Sequence, residues 1–332
     1  RGATILTRAR VTSAERLTDH WQILVDRGQG PEIFRAKVLV NAGGPWVEQV
    51  VRGIARIDTA ESIRLVRGSH IVVPKLFDHG KSYFFQGEDG RIIFAIPYEE
   101  DFTLIGTTDL DHQGDPAHPV CTDEEKDYLC TFASAYFARP VRRADVVWTY
   151  SGVRPLYNDG AKSAQAATRD YVLSLNNEGP PILSVFGGKI TTYRKLSEAA
   201  LDKIAPFLQP SRSGWTAGVA LAGGDFPVGD VARLMRELKI RYPFLTDHSC
   251  RRLIRAYGTE APVILGAAKA ETDLGRSFGA GLSEAEVRWL MRKEYARIAE
   301  DVVWRRSKLG LRLTADQIAA LDIWMRTEGA AP

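Results

Sequence analysis

Twice in this sequence an apolar run meets a pair of glycines and then a helical pattern. Residues 36–51 read AKVLVNAGGPWVEQVV, and residues 183–204 read LSVFGGKITTYRKLSEAALDKI. Each is a strand, a glycine turn and a helix start. Glycines let the backbone come close to a ligand, and a helix start offers free N–H groups and partial positive charge. Val38, Leu39 and Val40 form a continuous apolar run, which predicts a strand buried on both faces. Pro45 suits the first helical position, where its missing N–H costs nothing. In the second unit Thr191 or Thr192 is a natural N-cap, and Tyr193, Leu196 and Ala200 fall on one stripe, which predicts the buried face of the helix. Lys189 is either an exposed lysine beside a turn or a full charge set before an anionic ligand. Neither turn is G-x-G-x-x-G. Gly28 and Gly30 are followed by Pro31, with no third glycine in place, so no dinucleotide fingerprint appears.

The remaining β-like runs cluster. ATILTRARV (residues 3–11) alternates like a strand from Ala3 to Val11, WQILVDR follows, and RGQGPE is a turn. Between residues 62 and 110 four strand-like runs are separated by short loops, which predicts an antiparallel sheet. Residues 123–138 read as a helix. DVVWTYSGVRPL and DYVLSLNN are strand-like again. FLQPSRSGWTAG (207–218) reads as a linker. Beyond about residue 215 the periodicity is helical. VRWLMRKEYARIAEDVVWRR puts Val287, Leu290, Met291, Ile298 and Val302 on one stripe with Arg288, Arg292, Lys293 and Arg297 outside it. This is a core-packed helix with a solvated face, or a basic face for a membrane or an acidic partner. Thr314 is the expected N-cap of a last helix.

A chain of 332 residues is long enough for two domains. With 44 Lys+Arg against 41 Asp+Glu, its net charge of +3 is too slight to imply nucleic acid. Cys121, Cys130 and Cys250 have no metal-type spacing and read as free thiols in a reducing compartment. No run of about 18 apolar residues predicts a membrane span. The opening RGATIL, without methionine, reads as the interior of a longer protein.

Candidate chemistry is concentrated in a few side chains. Arg154 stands between Gly152 and Pro155, a fixed backbone that suits either a bidentate grip on carboxylate or phosphate, or a surface salt bridge. Arg169 is similar but has Asp170 as an obvious neighbour. His70 opens an apolar strand, as a structural histidine or as a proton acceptor. His79, His112 and His118 lie in loops without ligand spacing, so no metal is expected.

Taken in order, GGPWV, RGSHIVVP, IGTTD, WTYSGVRPL, ATRDY, FGGKITTYRKL and IRYPFLTDH resemble the bacterial FAD-dependent, respiratory glycerol-3-phosphate dehydrogenases, over essentially the whole chain. The resemblance implies a mixed α/β and α+β fold. Residues 1–61 and 148–208 would be the remainder of a D-amino-acid-oxidase-like FAD-binding domain, 62–147 a substrate-cap domain with an antiparallel sheet, and 215–332 a C-terminal all-α domain. It implies that Gly187, Gly188, Lys189, Ile190 and Thr191 face the flavin ring, that Asn41, Ala42, Gly43 and Gly44 border the FAD on the other side, and that Arg154, Arg169, Lys189 and Thr192 bind the substrate. His70, Lys189 and Arg154 would be catalytic, with His70 the base for the C2 hydroxyl.

The implied reaction is oxidation of sn-glycerol 3-phosphate to dihydroxyacetone phosphate, with electrons passing through FAD to a membrane quinone. The implied setting is cytoplasmic and peripheral on the inner membrane, with a homodimer as a further expectation. An oxidase that uses oxygen, or a non-catalytic folded fragment, are the alternatives. The family's G-x-G-x-x-G lies before the point where the resemblance begins. The chain is therefore expected to be the C-terminal two-thirds of such an enzyme, to retain no FAD by itself, to be inactive alone, and to show an incomplete flavin-side sheet.

Overall fold

The computed structural model describes residues 2–161, 163, 166–208 and 214–329. The chain forms two compact units, Arg1–Ala217 and Gly218–Pro332. The predicted linker at 207–218 falls partly on 209–213, which lie outside the described residues.

Among the described residues the first unit holds three sheets. Strands β1 (Arg10–Arg16), β2 (Trp21–Asp26) and β3 (Pro31–Ala36) form an antiparallel meander. The strand predicted from Ala3 begins only at Arg10. β2 ends at Asp26, the partner of Arg10, so the residues before Arg10 have no ladder to join. Strand β4 (Leu39–Asn41) leads into the first glycine turn. Strands β5 (Ile63–Pro74), β6 (Tyr83–Gln86), β7 (Ile92–Tyr98), β8 (Phe102–Gly106) and the short β9 (Leu110–Asp111) belong to one antiparallel sheet, as the run spacing predicts. Helix α1 (Asp123–Ser134) covers one face of it. Leu129, Cys130 and Ala133 pack there on Ile71, Val73, Ile93, Ala95 and Ile105. Strand β10 (Trp148–Tyr157) pairs with β5 over ten residues and completes the order β10-β5-β8-β7-β6. Thus β10, assigned from sequence to the other domain, is hydrogen-bonded into the cap sheet.

The third sheet is β11 (Tyr171–Asn176), β12 (Ile182–Gly187) and β4, with β12 antiparallel to β11 and parallel to β4. Helix α2 (Tyr193–Leu208) covers one face through Leu183, Ala200 and Ile204. The β1–β3 meander covers Ile182 on the other, where the buried Trp21 donates from Nε1 to the Pro181 carbonyl at 2.9 Å. Among the described residues β4 pairs with β12 alone. The expectation that Val38–Val40 is buried on both faces is corrected: β4 is an edge strand, and Val40 is 44% exposed. The predicted stripe on α2 is corrected at one position, since Tyr193 sits at the open helix head and is 47% exposed.

The second unit is helical: α3 (Val231–Arg241), α4 (Asp247–Tyr257), α5 (Ala261–Leu265), α6 (Glu284–Lys293) and α7 (Ala315–Gly329). The long helix predicted through residue 302 is broken. After α6 the backbone turns at Tyr295, which is left-handed with φ 59°. The Asp301 carboxylate then accepts from the N–H groups of Arg297 (2.8 Å) and Ile298 (3.3 Å), which starts a separate turn. Val287, Leu290 and Val302 are nonetheless all in the core. Arg288 pairs with Glu284 and Glu328, so the basic face is in part neutralised. Thr314 caps α7 as predicted: its hydroxyl accepts from Gln317 N at 3.2 Å.

One buried acid ties α1 to the cap sheet. Glu125, 3% exposed, forms a capping box with Thr122 and also accepts from the Thr108 hydroxyl at 2.7 Å, while Arg67 on β5 lies 3.0 Å away. Truncation would strand the Arg67 charge and the Thr108 hydroxyl. Glu125→Ala is expected to cost about 3 kcal/mol or more, against ~1 kcal/mol for Thr122→Ala, both read from denaturant unfolding.

Candidate active site

The two glycine turns lie side by side because they leave neighbouring parallel strands. Ser184 on β12 is in register with Asn41 on β4, and each strand ends in its turn at the same edge. That edge, at the carboxyl ends of parallel strands, is where open α/β sheets take ligands. The Asn41 side chain, 4% exposed, is occupied within its own turn and across to β12, where Nδ2 lies 3.4 Å from Ser184 Oγ. Its Nδ2 donates to the Val47 carbonyl at 2.9 Å, and its Oδ1 accepts from Gly43 N at 3.2 Å. What this turn offers a ligand is the backbone of Ala42, Gly43 and Gly44, the last with φ 53°.

In the second turn Gly187 and Gly188 have φ 75° and 101°. A Cβ on Gly187 would stand 2.7 Å from the Asp170 carbonyl and 3.1 Å from Tyr157 N, so only glycine fits. Lys189 then heads a 3-10 turn, Ile190–Thr192, that runs into α2. The predicted threonine cap is corrected. Lys189 occupies the N-cap position with no side-chain cap, and the Thr192 hydroxyl instead donates to the Lys189 carbonyl at 2.9 Å. No side chain therefore caps this helix head; Thr192 N donates to the Lys189 carbonyl at 3.0 Å and Tyr193 N to the Ile190 carbonyl, which leaves the amides of Ile190 and Thr191 for a ligand. Lys189, Ile190, Thr191 and Thr192 are exposed, Ile190 by 85%, which sets an apolar side chain and a cation together at the turn.

The other part of the site lies on the face of the cap sheet away from α1. His70 on β5 is paired across the sheet with Tyr150 on β10 and Gly106 on β8. Its ring stacks on Tyr150, with centroids 4.8 Å apart. Gly106 leaves it room, since a Cβ there would come within 2.2 Å of His70 Cδ2. Burial, and after it the Arg154 charge, push the His70 imidazole down to about 4. Its Nδ1 is buried without a hydrogen-bond partner. At neutral pH His70 is thus an uncharged ring with a nitrogen to spare.

Arg154 lies on the same face, four positions along β10 from Tyr150. Its guanidinium covers Gly68, where a Cβ would stand 2.4 Å from both terminal nitrogens. It donates to Asp109 Oδ1 at 2.8 Å and to Thr107 Oγ1 at 3.1 Å. Arg169 reaches the other oxygen of the same acid, at 3.9 Å. The partner of Arg169 is therefore Asp109, in place of the expected Asp170. The two loci adjoin. Tyr157 at the end of β10 abuts Gly187, and Arg169 precedes Tyr171, which is paired with Gly187. Of the sequence-predicted residues, Gly187–Thr192, Arg154 and Arg169 converge on one end of this unit, with His70 beside Arg154. Asn41 braces the first turn and also reaches Ser184 Oγ on β12 at 3.4 Å. Asp109 and Thr107 were not singled out from sequence. The IGTTD stretch that holds them was noted, but an acid after a strand announces a partner only once β8 and β10 are known to share a sheet.

Residues 1–194 match the FAD dependent oxidoreductase family, and residues 215–325 match the C-terminal domain of alpha-glycerophosphate oxidase. The chain belongs to the FAD-dependent oxidoreductase family. It is 42% identical over 330 residues to the aerobic glycerol-3-phosphate dehydrogenase of Escherichia coli (strain K12), covering 98% of this chain and 66% of that protein. It is 39% identical over 327 residues to the D-erythritol 1-phosphate dehydrogenase of Brucella abortus (strain 2308), covering 98% and 65%. The chain thus spans slightly less than two thirds of these relatives. The glycerol-3-phosphate dehydrogenase of Bacillus halodurans, solved with FAD, shares the fold at a TM-score of 0.77 and 24% identity, over 98% of this chain and 69% of that one. These likenesses agree with the resemblance read from the motifs.

The residues present fit the ring side of a flavin: two turns with paired glycines, the Ile190 and Thr191 amides at a helix head, and the exposed Ile190. Free histidine titrates near 6.5 and His70 near 4. Above pH 6.5 both the folded and unfolded states hold it neutral, and it makes no difference to stability. As pH falls toward 4 only the unfolded state takes up the proton, and the fold weakens. Stability is expected to decline over this window by at most ~3 kcal/mol from this residue, and a His70→Asn chain is expected to lack that part of the slope in pH-dependent denaturation.

Proposed function

We propose that this chain carries the flavin-ring side and the substrate face of an enzyme that oxidises the C2 hydroxyl of sn-glycerol 3-phosphate, giving dihydroxyacetone phosphate. The observation that carries the reading is the pair of arginines, Arg154 and Arg169, drawn together beside a neutral His70 and next to the Gly187–Thr192 turn. Oxidising a secondary alcohol removes a hydride from carbon and a proton from oxygen. FAD, when bound, supplies the two-electron acceptor. The protein must hold the phosphate, take the proton, and stabilise negative charge on the oxygen as it develops.

Arg154 and Arg169 hold the phosphate by charge-assisted hydrogen bonds. His70 takes the hydroxyl proton at an unprotonated ring nitrogen. The substrate also improves this base. Part of the depression at His70 comes from the Arg154 cation, and a phosphate seated on Arg154 cancels that field, which returns the imidazole toward its ordinary basicity. Lys189 supplies positive charge on the flavin side of the oxygen, and Thr192 stands beside it as a further contact. In this reading electrons leave through FAD to a membrane quinone, on an enzyme peripheral to the cytoplasmic face of the membrane.

A longer polyol phosphate is the second reading, favoured by the 39% identity to the D-erythritol 1-phosphate dehydrogenase. Both substrates share the phosphate anchor and the secondary hydroxyl. Assaying the FAD-loaded, full-length protein with each substrate and a soluble quinone decides between them. In the same assay Arg154→Ala is expected to cost on the order of 2–4 kcal/mol in kcat/KM, chiefly through KM. Unchanged constants would return Arg154 to a salt-bridge role. His70→Ala is expected to lose roughly two to four decades of kcat, and a loss under about tenfold would move the base elsewhere, with Lys189 next.

A further inference from the structure

The arginines that would grip a phosphate already hold an anion, and it belongs to the protein. Asp109 Oδ1 accepts from Arg154 at 2.8 Å, and Oδ2 lies 3.9 Å from Arg169. We propose that Asp109 is a tethered counter-ion that competes with the substrate's phosphate for Arg154 and Arg169, weakening the hold on substrate and product alike and hastening release of the phosphate-bearing product. This rests on the reading that the two arginines bind the phosphate.

Two roles for Asp109 predict opposite signs. As a brace, it would aim Arg154, and its loss would weaken anion binding. As a competitor, it would oppose the anion, and its loss would strengthen binding. The geometry favours the second. Arg154 is aimed without Asp109, because Thr107 Oγ1 accepts from its other terminal nitrogen at 3.1 Å and the guanidinium lies over Gly68, which leaves it a seat. The Arg169 contact is long for a hydrogen bond, so Asp109 satisfies that cation only in part. When a phosphate dianion arrives, Asp109 must either give up its contact with Arg154 or stay and repel the newcomer, and both cost affinity. Substrate and product carry the same phosphate, so the cost is uniform along the reaction. Uniform weakening raises KM and leaves the chemical step alone. Where product release limits turnover, it raises kcat.

Asp109→Asn isolates the charge. The amide oxygen still accepts from Arg154, and two arginines with no acid carry a net charge one unit more positive than before. The probe is inorganic phosphate, titrated calorimetrically into the full-length FAD-loaded enzyme, with dihydroxyacetone phosphate dissociation followed by stopped flow. Asp109→Asn is expected to tighten phosphate about five- to thirtyfold, to lower KM, and to slow product dissociation by a similar factor. Asp109→Glu, which keeps the charge, is expected to stay within about threefold of the parent. Unchanged or weaker phosphate binding in Asp109→Asn, with Arg154→Ala still abolishing it, overturns the competitor role and leaves the phosphate site standing. Phosphate binding that survives Arg154→Ala overturns the site itself. If Asp109→Asn does not fold, Asp109→Ser carries the same comparison.

Discussion

Glu125 is a carboxylate that has lost its water, and the cap sheet is arranged around that fact. Burial alone would push its carboxyl up. Hydrogen bonds from the Thr108 hydroxyl and the Thr122 N–H, with the Arg67 charge, instead hold it below the usual range. The Thr108 hydroxyl donates to Glu125 and also accepts from Ser69 N at 2.9 Å. Its segment is thereby pinned on one side to helix α1 and on the other to strand β5. Thr107 and Asp109 flank Thr108, and both reach Arg154. The residue that anchors the helix and the residues that aim the arginine are thus neighbours in one short stretch. The interior of the unit and its candidate site share a single fastening.

The site is built as much from missing side chains as from present ones. Gly106 stands opposite His70, Gly68 lies under Arg154, and Gly187 fills a space where a Cβ would meet backbone atoms of Asp170 and Tyr157. Strand glycines weaken a sheet, and left-handed ones at a turn exclude other residues. These positions give up local stability for room. The sheet offsets the loss through ten consecutive residues paired between β5 and β10 and through the apolar core against α1.

Local features of this protein were legible in its sequence where local chemistry decides them. The glycine turns, the antiparallel runs at 62–110 and the Thr314 cap follow from backbone preference and periodicity, and they stand where expected. The sequence misled where a distant partner decides. The run at 38–40 is apolar enough for burial on both faces, but among the described residues β4 pairs with β12 alone, in line with the incomplete flavin-side sheet that was expected. Alternation from Ala3 marks a strand-like segment, but strand length is set by the partner, and β2 ends at Asp26. Tyr193 has the helical spacing of a buried residue, but it sits in the first turn, where α2 has not yet reached the sheet. Arg154 and Arg169 were legible as candidate anion ligands. Their shared acid was not, because Asp109 meets them only through the order of β8, β5 and β10.

The charges at this site form a closed account over the proposed cycle. Before substrate, two arginines and Asp109 leave one net positive charge, and burial, with the Arg154 charge after it, keeps His70 from taking a proton. A histidine held neutral in this way cannot be blocked by protonation at mildly acid pH, so the free site stays competent. Burial, and the Arg154 field after it, make the ring a poor base. Binding the phosphate dianion offsets the Arg154 part of that depression and raises the basicity when the hydroxyl is in place, while burial goes on lowering it. The anion that anchors the substrate would thus also strengthen the group that deprotonates it. A neutral polyol of equal shape would leave the Arg154 field on the imidazole in place. On this view discrimination for a phosphate ester lies in the chemical step as well as in binding, and it follows from the nearness of one arginine to one histidine on a single face of the sheet.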